Sequence, residues 1–287
     1  MIAVTAATGH LGRLVLAELL QKVPAGQVVA AARDPGKAQD LVARGVEVRR
    51  ADYDQPATLE PALQGVEKLL FISGSEAGKR GPQHRAVVDA ARRAGVKLVA
   101  YTSILHADTT PLALAAEHEE TEAALRASGL PTVLLRHSWY TENYTERLGS
   151  VLERGVVLGA AGEGRIAAAA RADYAAAAVT VLTTPGHEGK VHELAGDAPF
   201  TLAELAAEVS RQAGKPVVYR DLPAEAYAAA LQGAGLSPPV AALLADVDAG
   251  IARGALDDRS GTLRRLIGRP TTSLAASVAA GLRALRG

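Results

Sequence analysis

The stretch Met1-Ile-Ala-Val-Thr-Ala-Ala-Thr-Gly-His-Leu-Gly12 decides the fold. A short apolar run, Met1 to Val4, leads straight into a turn of small residues, and a helical pattern follows from Arg13 to Gln21 with Leu14, Leu16, Leu19 and Leu20 available for packing. Strand, tight turn and helix form the first unit of a dinucleotide-binding fold: glycine lets the backbone approach a pyrophosphate, and the helix N-terminus aims N–H groups and its dipole at the negative charge. The spacing is G-x-x-G-x-x-G with Gly9 and Gly12 present and Ala6 in place of the first glycine. Alanine suits that place only where φ stays negative, because a positive φ brings Cβ into a clash. The bland alternative is an ordinary βα turn.

Outward from this unit, apolar runs alternate with helical patterns. Strands are predicted at Met1–Val4, Gln27–Ala32, Glu47–Arg50, Lys68–Ile72, Lys97–Tyr101 and Thr132–Leu135, with helices over 11–21, 35–44, 56–64, 82–94 and 117–128. Gly45, Gly65, Gly95 and Gly129 each follow a helical stretch, as left-handed C′ residues do. The alternation predicts an α/β protein, a Rossmann-type doubly wound parallel sheet with right-handed crossovers. Residues 1–150 are expected to form this NAD(P)-binding domain, and 151–287 a smaller, mostly helical C-terminal lobe that covers the substrate, with some later segments returning to the sheet. In that half, Gly149, Gly155, Gly159, Gly162 and Gly164 suggest turns around short strands. Asp173 reads as the cap of an alanine-rich helix over 174–183, Thr201 to Glu204 as a capping box before 202–213, and Ser273 as the cap of 274–285.

Composition excludes several functions. The 31 basic and 31 acidic residues balance, leaving no electrostatic footprint for nucleic acid or a membrane surface. Without cysteine the chain has no disulfide, thiolate nucleophile or cysteine-ligated metal. The seven histidines lack metalloprotease-type spacing, so no metal is expected. Neither a Gly-x-Ser-x-Gly elbow nor a Walker lysine is present. A first strand that begins at once leaves no room for a signal peptide, and no apolar run is long enough to span a bilayer, so a cytoplasmic location is expected.

The chemistry-bearing residues cluster at predicted strand ends. Arg33 follows the second strand, where NAD-preferring proteins usually carry a carboxylate; arginine suits a 2′-phosphate, which favours NADP(H) over NAD, against a merely solvated arginine, with Asp34 a complication. Ser73-Gly74-Ser75 would let a cofactor approach the backbone, or is a plain loop. Tyr101-Thr102-Ser103 ends the fifth strand where conventional short-chain reductases place a catalytic serine, but the Tyr-x-x-x-Lys partner is missing: no lysine occurs between Lys97 and Lys190. Without it nothing lowers a tyrosine pKa toward neutrality, and ordinary ketone reduction loses its proton donor. His118 reads as a surface histidine at a helix start, with proton donation the alternative. In a chain only 3% aromatic, the sole tryptophan, Trp139, lies with Tyr140 and Tyr144 in one loop: a stacking platform for a flat apolar substrate, or a seal between lobes. Asn143 is placed to hydrogen-bond a substrate oxygen. Arg171 meets a cofactor phosphate or pairs with Asp173.

The whole series resembles the NmrA-like branch of atypical short-chain dehydrogenase/reductases, and within it the bacterial NAD(P)H:quinone oxidoreductases of type 2. The resemblance runs through Thr5 to Gly12, Ala51-Asp-Tyr53, Ala62 to Leu70, Pro82 to Arg85, Tyr101 to Ser103, Leu105 to Asp108, Trp139-Tyr140, Glu142 to Tyr144, Arg171 to Tyr174, His192 to Gly196, Leu266 to Gly268 and Pro270 to Thr272. It implies NADPH on Ala6, Ala7, Thr8, Gly9, His10 and Leu11, its 2′-phosphate at Arg33, and further contacts at Ser73, Gly74, Ser75, His137, Ser138, Trp139, Tyr140, Thr141, Glu142 and Arg171. The implied activity is hydride transfer from NADPH to a quinone or similar flat aromatic acceptor without flavin or metal, with Trp139, Tyr140 and Asn143 positioning the substrate. The alternative is a non-catalytic NADP(H)-binding redox sensor of the NmrA type. Monomer and homodimer stay open.

Overall fold

The computed structural model describes every residue except Ala77 and Gly287. Nine strands are present among the described residues: β1 (Ile2–Val4), β2 (Val28–Ala32), β3 (Glu47–Arg50), β4 (Lys68–Phe71), β5 (Leu98–Ile104), β6 (Thr132–His137), β7 (Val156–Gly159), β8 (Val191–Leu194) and β9 (Val218–Asp221). The α-helices are α1 (His10–Leu19), α2 (Gln39–Ala43), α3 (Leu59–Leu63), α4 (Arg80–Arg93), α5 (Ala115–Ala127), α6 (Glu142–Thr145), α7 (Leu148–Arg154), α8 (Arg171–Thr183), α9 (Leu202–Ala213), α10 (Ala224–Gly233), α11 (Pro238–Ala252), α12 (Thr262–Ile267) and α13 (Leu274–Ala284). The chain divides into two compact units. One takes in residues 1–107, 116–137 and 171–193; the other takes in 108–115, 138–170 and the chain from Leu194 onward.

The first unit is a seven-stranded sheet in the order β3-β2-β1-β4-β5-β6-β8. Strands β1 to β6 pair in parallel, Val4 standing beside Ala30 on one side and Leu70 on the other. Strands buried on both faces need continuous apolar runs, and Val-Val-Ala-Ala-Ala of β2 is buried at every position. On one face, Leu59, Leu63, Val87, Val88 and Ala91 of α3 and α4 cover Phe71 and Tyr101. α1 packs against α8. Nine residues of α8 are buried, so its alanines face neighbours all round. The chain leaves β1 toward β3 and returns to β4, which puts the topological switch point between β1 and β4. Gly45, Gly65, Gly95 and Gly129 hold positive φ, as their places after helical stretches predict.

The second unit contains the parallel pair β7-β9 and mostly helices. The Thr201 capping box is complete: Glu204 N–H donates to Thr201 Oγ1 at 3.1 Å, and Thr201 N–H donates to Glu204 at 2.9 Å. Ser273 caps α13 through Ala276 N–H. Tyr227, Leu231, Ala241 and Ala245 form the core between α10 and α11.

Three local expectations change. α8 begins at Arg171, so Asp173 lies inside its first turn and does not cap it. β5 runs on to Ile104, which puts Thr102 and Ser103 within the strand, and β6 runs on to His137. No described helix is long and apolar enough to cross a membrane.

Candidate cofactor and active site

The turn after β1 is tightly tied. Ala7 N–H donates to Ala31 O at 3.2 Å, Gly9 N–H to Ala6 O at 2.9 Å, and Arg13 N–H to Gly9 O at 2.9 Å. Ala6 sits at φ +47°, in the left-handed region, which overturns the expectation that alanine here keeps a negative φ. The reason lies downstream: the turn brings the Ala6 carbonyl so close to α1 that a Cβ on Gly12 would overlap it. Close approach at Gly12 fixes the path, and Ala6 accepts the conformation glycine would take freely. Gly9, at the N-cap of α1, offers no side-chain cap, and the first turn carries no acidic residue. An anion there meets no carboxylate from the helix's own first turn, whose Arg13 pairs with Asp40.

Because the strands run parallel, the segments after β1, β2, β4, β5 and β6 emerge at one edge of this sheet. Arg33, just past β2, is 71% exposed on its side chain, with Nη1 3.7 Å from Glu76, which in turn pairs with Lys79 at 2.8 Å. Asp34, the complication beside it, is tied locally. Its carboxylate accepts from Gly36 N–H at 3.0 Å and caps the next turn.

After β4, the loop over Ser73 and Gly74 is held by side chains from neighbouring elements. Ser73 N–H donates to Thr102 Oγ1 at 2.9 Å, Gly74 N–H to His84 Nε2 at 3.0 Å, and Arg80 Nε to Gly74 O at 2.6 Å. Since His84 Nε2 accepts, Nδ1–H donates to Thr121 Oγ1 at 2.8 Å, and that hydroxyl donates to Glu117 O. Burial, with Arg80 beside it, pushes the His84 pKa down to about 3 and keeps the ring neutral. Thr102, His84 and Arg80 set this loop's shape; Thr102 and His84 lie in stretches that carry the resemblance, but their part in holding this loop was not legible in them.

At the place of a short-chain reductase's proton relay, the hydroxyl of Ser103 donates to Glu122 Oε1 at 2.7 Å. Glu122 is fully buried, and Arg136 clamps it through Nε at 2.9 Å and Nη2 at 2.7 Å. Nη1 of Arg136 reaches Glu193 at 2.9 Å. These carboxylates raise the guanidinium pKa further still. Tyr101, the other hydroxyl here, turns into the core and pairs with His118 Nδ1 at 2.8 Å. Burial raises the phenol's pKa and lowers that of His118 to about 3. His118 is only 5% exposed, so the reading of a surface histidine is corrected. The Glu122–Arg136 pair was missed in sequence. Its only signal was a lone arginine at the end of the apolar run Val133 to Leu135.

His137, ending β6, stacks on Tyr174 with ring centroids 4.3 Å apart and 21° between planes. Arg171 is half-buried at the start of α8. In the second unit, Ser138 to Asn143 form a continuous segment. Ala169 N–H donates to Trp139 O and Thr141 N–H to Ala169 O, both at 3.0 Å. Thr141 Oγ1 accepts from Ser277 at 3.3 Å. Trp139, Tyr140, Glu142 and Asn143 remain partly exposed. The Tyr144 ring packs edge-on to Phe200 at 6.1 Å and its hydroxyl is buried.

A parallel sheet with its switch point beside a glycine turn and an unacidic helix N-terminus defines a Rossmann-type nucleotide-binding protein. The chain belongs to the NAD(P)H-binding family, which it matches over residues 6–185. It is 57% identical over 278 residues to quinone oxidoreductase 2 of Escherichia coli K12, covering 97% of each chain. The crystal structure of an E. coli NADPH-dependent quinone oxidoreductase complexed with NADPH superposes with a TM-score of 0.95, covering 98% of this chain and 99% of that one. Triphenylmethane reductase from Citrobacter sp., complexed with NADP(H), is 41% identical, with a TM-score of 0.94 over 98% of this chain and all of the other.

Proposed function

We propose that this protein is an NADPH-dependent quinone reductase that passes hydride directly to its acceptor without flavin. The observation that carries the mechanism is the engagement of Ser103 by a buried ion pair. A ketone reductase needs an acid at that place, and Glu122 clamped by Arg136 supplies none. A quinone needs no such acid, because hydride addition yields an aromatic product whose oxygens take protons from water or a nearby hydroxyl. Positioning and desolvation then carry the catalysis. The near full-length likeness to the E. coli quinone oxidoreductase supports this acceptor class.

The residues fit the cofactor: Ala6 to Leu11 take the pyrophosphate, Arg33 the 2′-phosphate, and Ser73 to Ser75, His137 to Glu142 and Arg171 the remainder. NADPH supplies the hydride. Trp139 and Tyr140 stack the acceptor and Asn143 holds one of its oxygens. Asn143→Ala is expected to lower quinone turnover by about tenfold, the effect of losing one positioning hydrogen bond, with NADPH affinity unchanged. Unchanged turnover would remove Asn143 from the site. NADPH binding without consumption across several quinones would favour a redox sensor.

A further inference from the structure

Outside the nicotinamide site, the fold assembles two histidines that no sequence motif joins. His187 lies in the turn after α8 and His192 in β8, a strand at the end of the sheet. His187 Nδ1 stands 3.4 Å from His192 Nε2, with ring centroids 5.4 Å apart and 61° between planes.

The tautomer of His187 follows from its other nitrogen. The hydroxyl of Thr184 donates to Thr180 O at 2.7 Å, so at 2.9 Å from His187 Nε2 it can only accept. His187 therefore carries its proton on Nε2 and presents a lone pair at Nδ1, the arrangement in which a second partner orients a metal-ligating imidazole. Facing that lone pair, His192 Nε2 stands at 3.4 Å, a long and weak hydrogen bond when it carries the proton, since such bonds centre near ~2.9–3.0 Å. The separation also matches two nitrogens on one tetrahedral ion, which at bond lengths of ~2.0–2.1 Å lie about 3.3 Å apart, so an ion can replace the Nε2 proton of His192.

We propose that His187 and His192 form a two-imidazole site for a borderline divalent cation such as Zn2+, which staples the turn after α8 to β8. Solvent fills the remaining positions, since the described residues contain no cluster of three or more His, Cys, Asp or Glu ligands. Nearby Lys68 and Lys190 oppose the ion and Glu188 favours it, so affinity is modest. The site departs from the expectation, drawn from sequence spacing, that no metal binds.

The test is calorimetric titration of tag-free full-length protein with Zn2+, paired with thermal unfolding. A single ion per chain and a raised Tm are expected, with binding weakened by about tenfold or more in both His187→Ala and His192→Ala, and less severely in Thr184→Val. Imidazole nitrogen NMR of the unsubstituted protein reads both rings without altering the fold; Zn2+ must perturb His187 Nδ1 and His192 Nε2. Absence of binding at millimolar Zn2+, binding indifferent to both histidine substitutions, or perturbation of other rings alone would overturn the proposal.

Discussion

Ala6 is held at φ +47°, and the cost of a Cβ in that conformation is about 1–2 kcal/mol. Part of that cost is offset because alanine orders more easily than glycine on folding. Ala6→Gly is therefore expected to stabilise the protein by about 0.5–1 kcal/mol, read by urea denaturation. A loss of stability would mean that the turn is not strained. The sequence identified this residue as the exception in the glycine pattern but misread its backbone, because the approach of Gly12 to the Ala6 carbonyl is invisible until the turn is closed. Arg33 raises the converse case, since its place after β2 was legible directly. If it meets a 2′-phosphate through charge-assisted bonds, Arg33→Ala should weaken NADPH binding by roughly 10- to 100-fold and leave NADH affinity unchanged. Equal effects on both cofactors, measured by fluorescence titration, would remove the phosphate contact.

Among the elements, β3 appears where the pattern placed it, Glu47–Arg50, although it is an edge strand with none of its residues buried, because the glycine turn before it and its short extended run are local signals. The start of α8 was misplaced for the opposite reason: Asp173 looks like a cap, but a helix end depends on where packing releases the chain. The buried carboxylate on α11 was not legible at all. Asp248 accepts from Ala160 N–H at 2.8 Å, and burial raises its pKa to about 6 from 3.8. The folded chain thus holds this proton more tightly than the unfolded chain. The stabilisation is complete below pH 3.8 and is lost as pH rises through about 6. Asp248→Asn keeps an acceptor for Ala160 without the charge. It is expected to abolish this decline and to raise stability above pH 6 by on the order of 2 kcal/mol. An unaltered stability–pH profile, followed by chemical denaturation, would contradict the assignment.

Across the whole molecule, the alternation of strands and helices made the sheet readable, and the absence of lysine between Lys97 and Lys190 was plain in the sequence. The ion pair that meets Ser103 was not readable. Ser103, Glu122 and Arg136 meet only because β5, α5 and β6 lie side by side, the two charged partners standing 14 positions apart in sequence. On the proposed reading, that pair leaves no acid for ketone reduction while quinone reduction needs none. The most direct test follows NADPH absorbance and fluorescence with purified protein shown to be free of flavin, before and after a simple benzoquinone is added. Saturable, protein-dependent NADPH oxidation without added flavin, with no turnover of unactivated ketones, is the expected result. Oxidation that appears only when flavin is supplied, or NADPH binding with no consumption, would contradict the account.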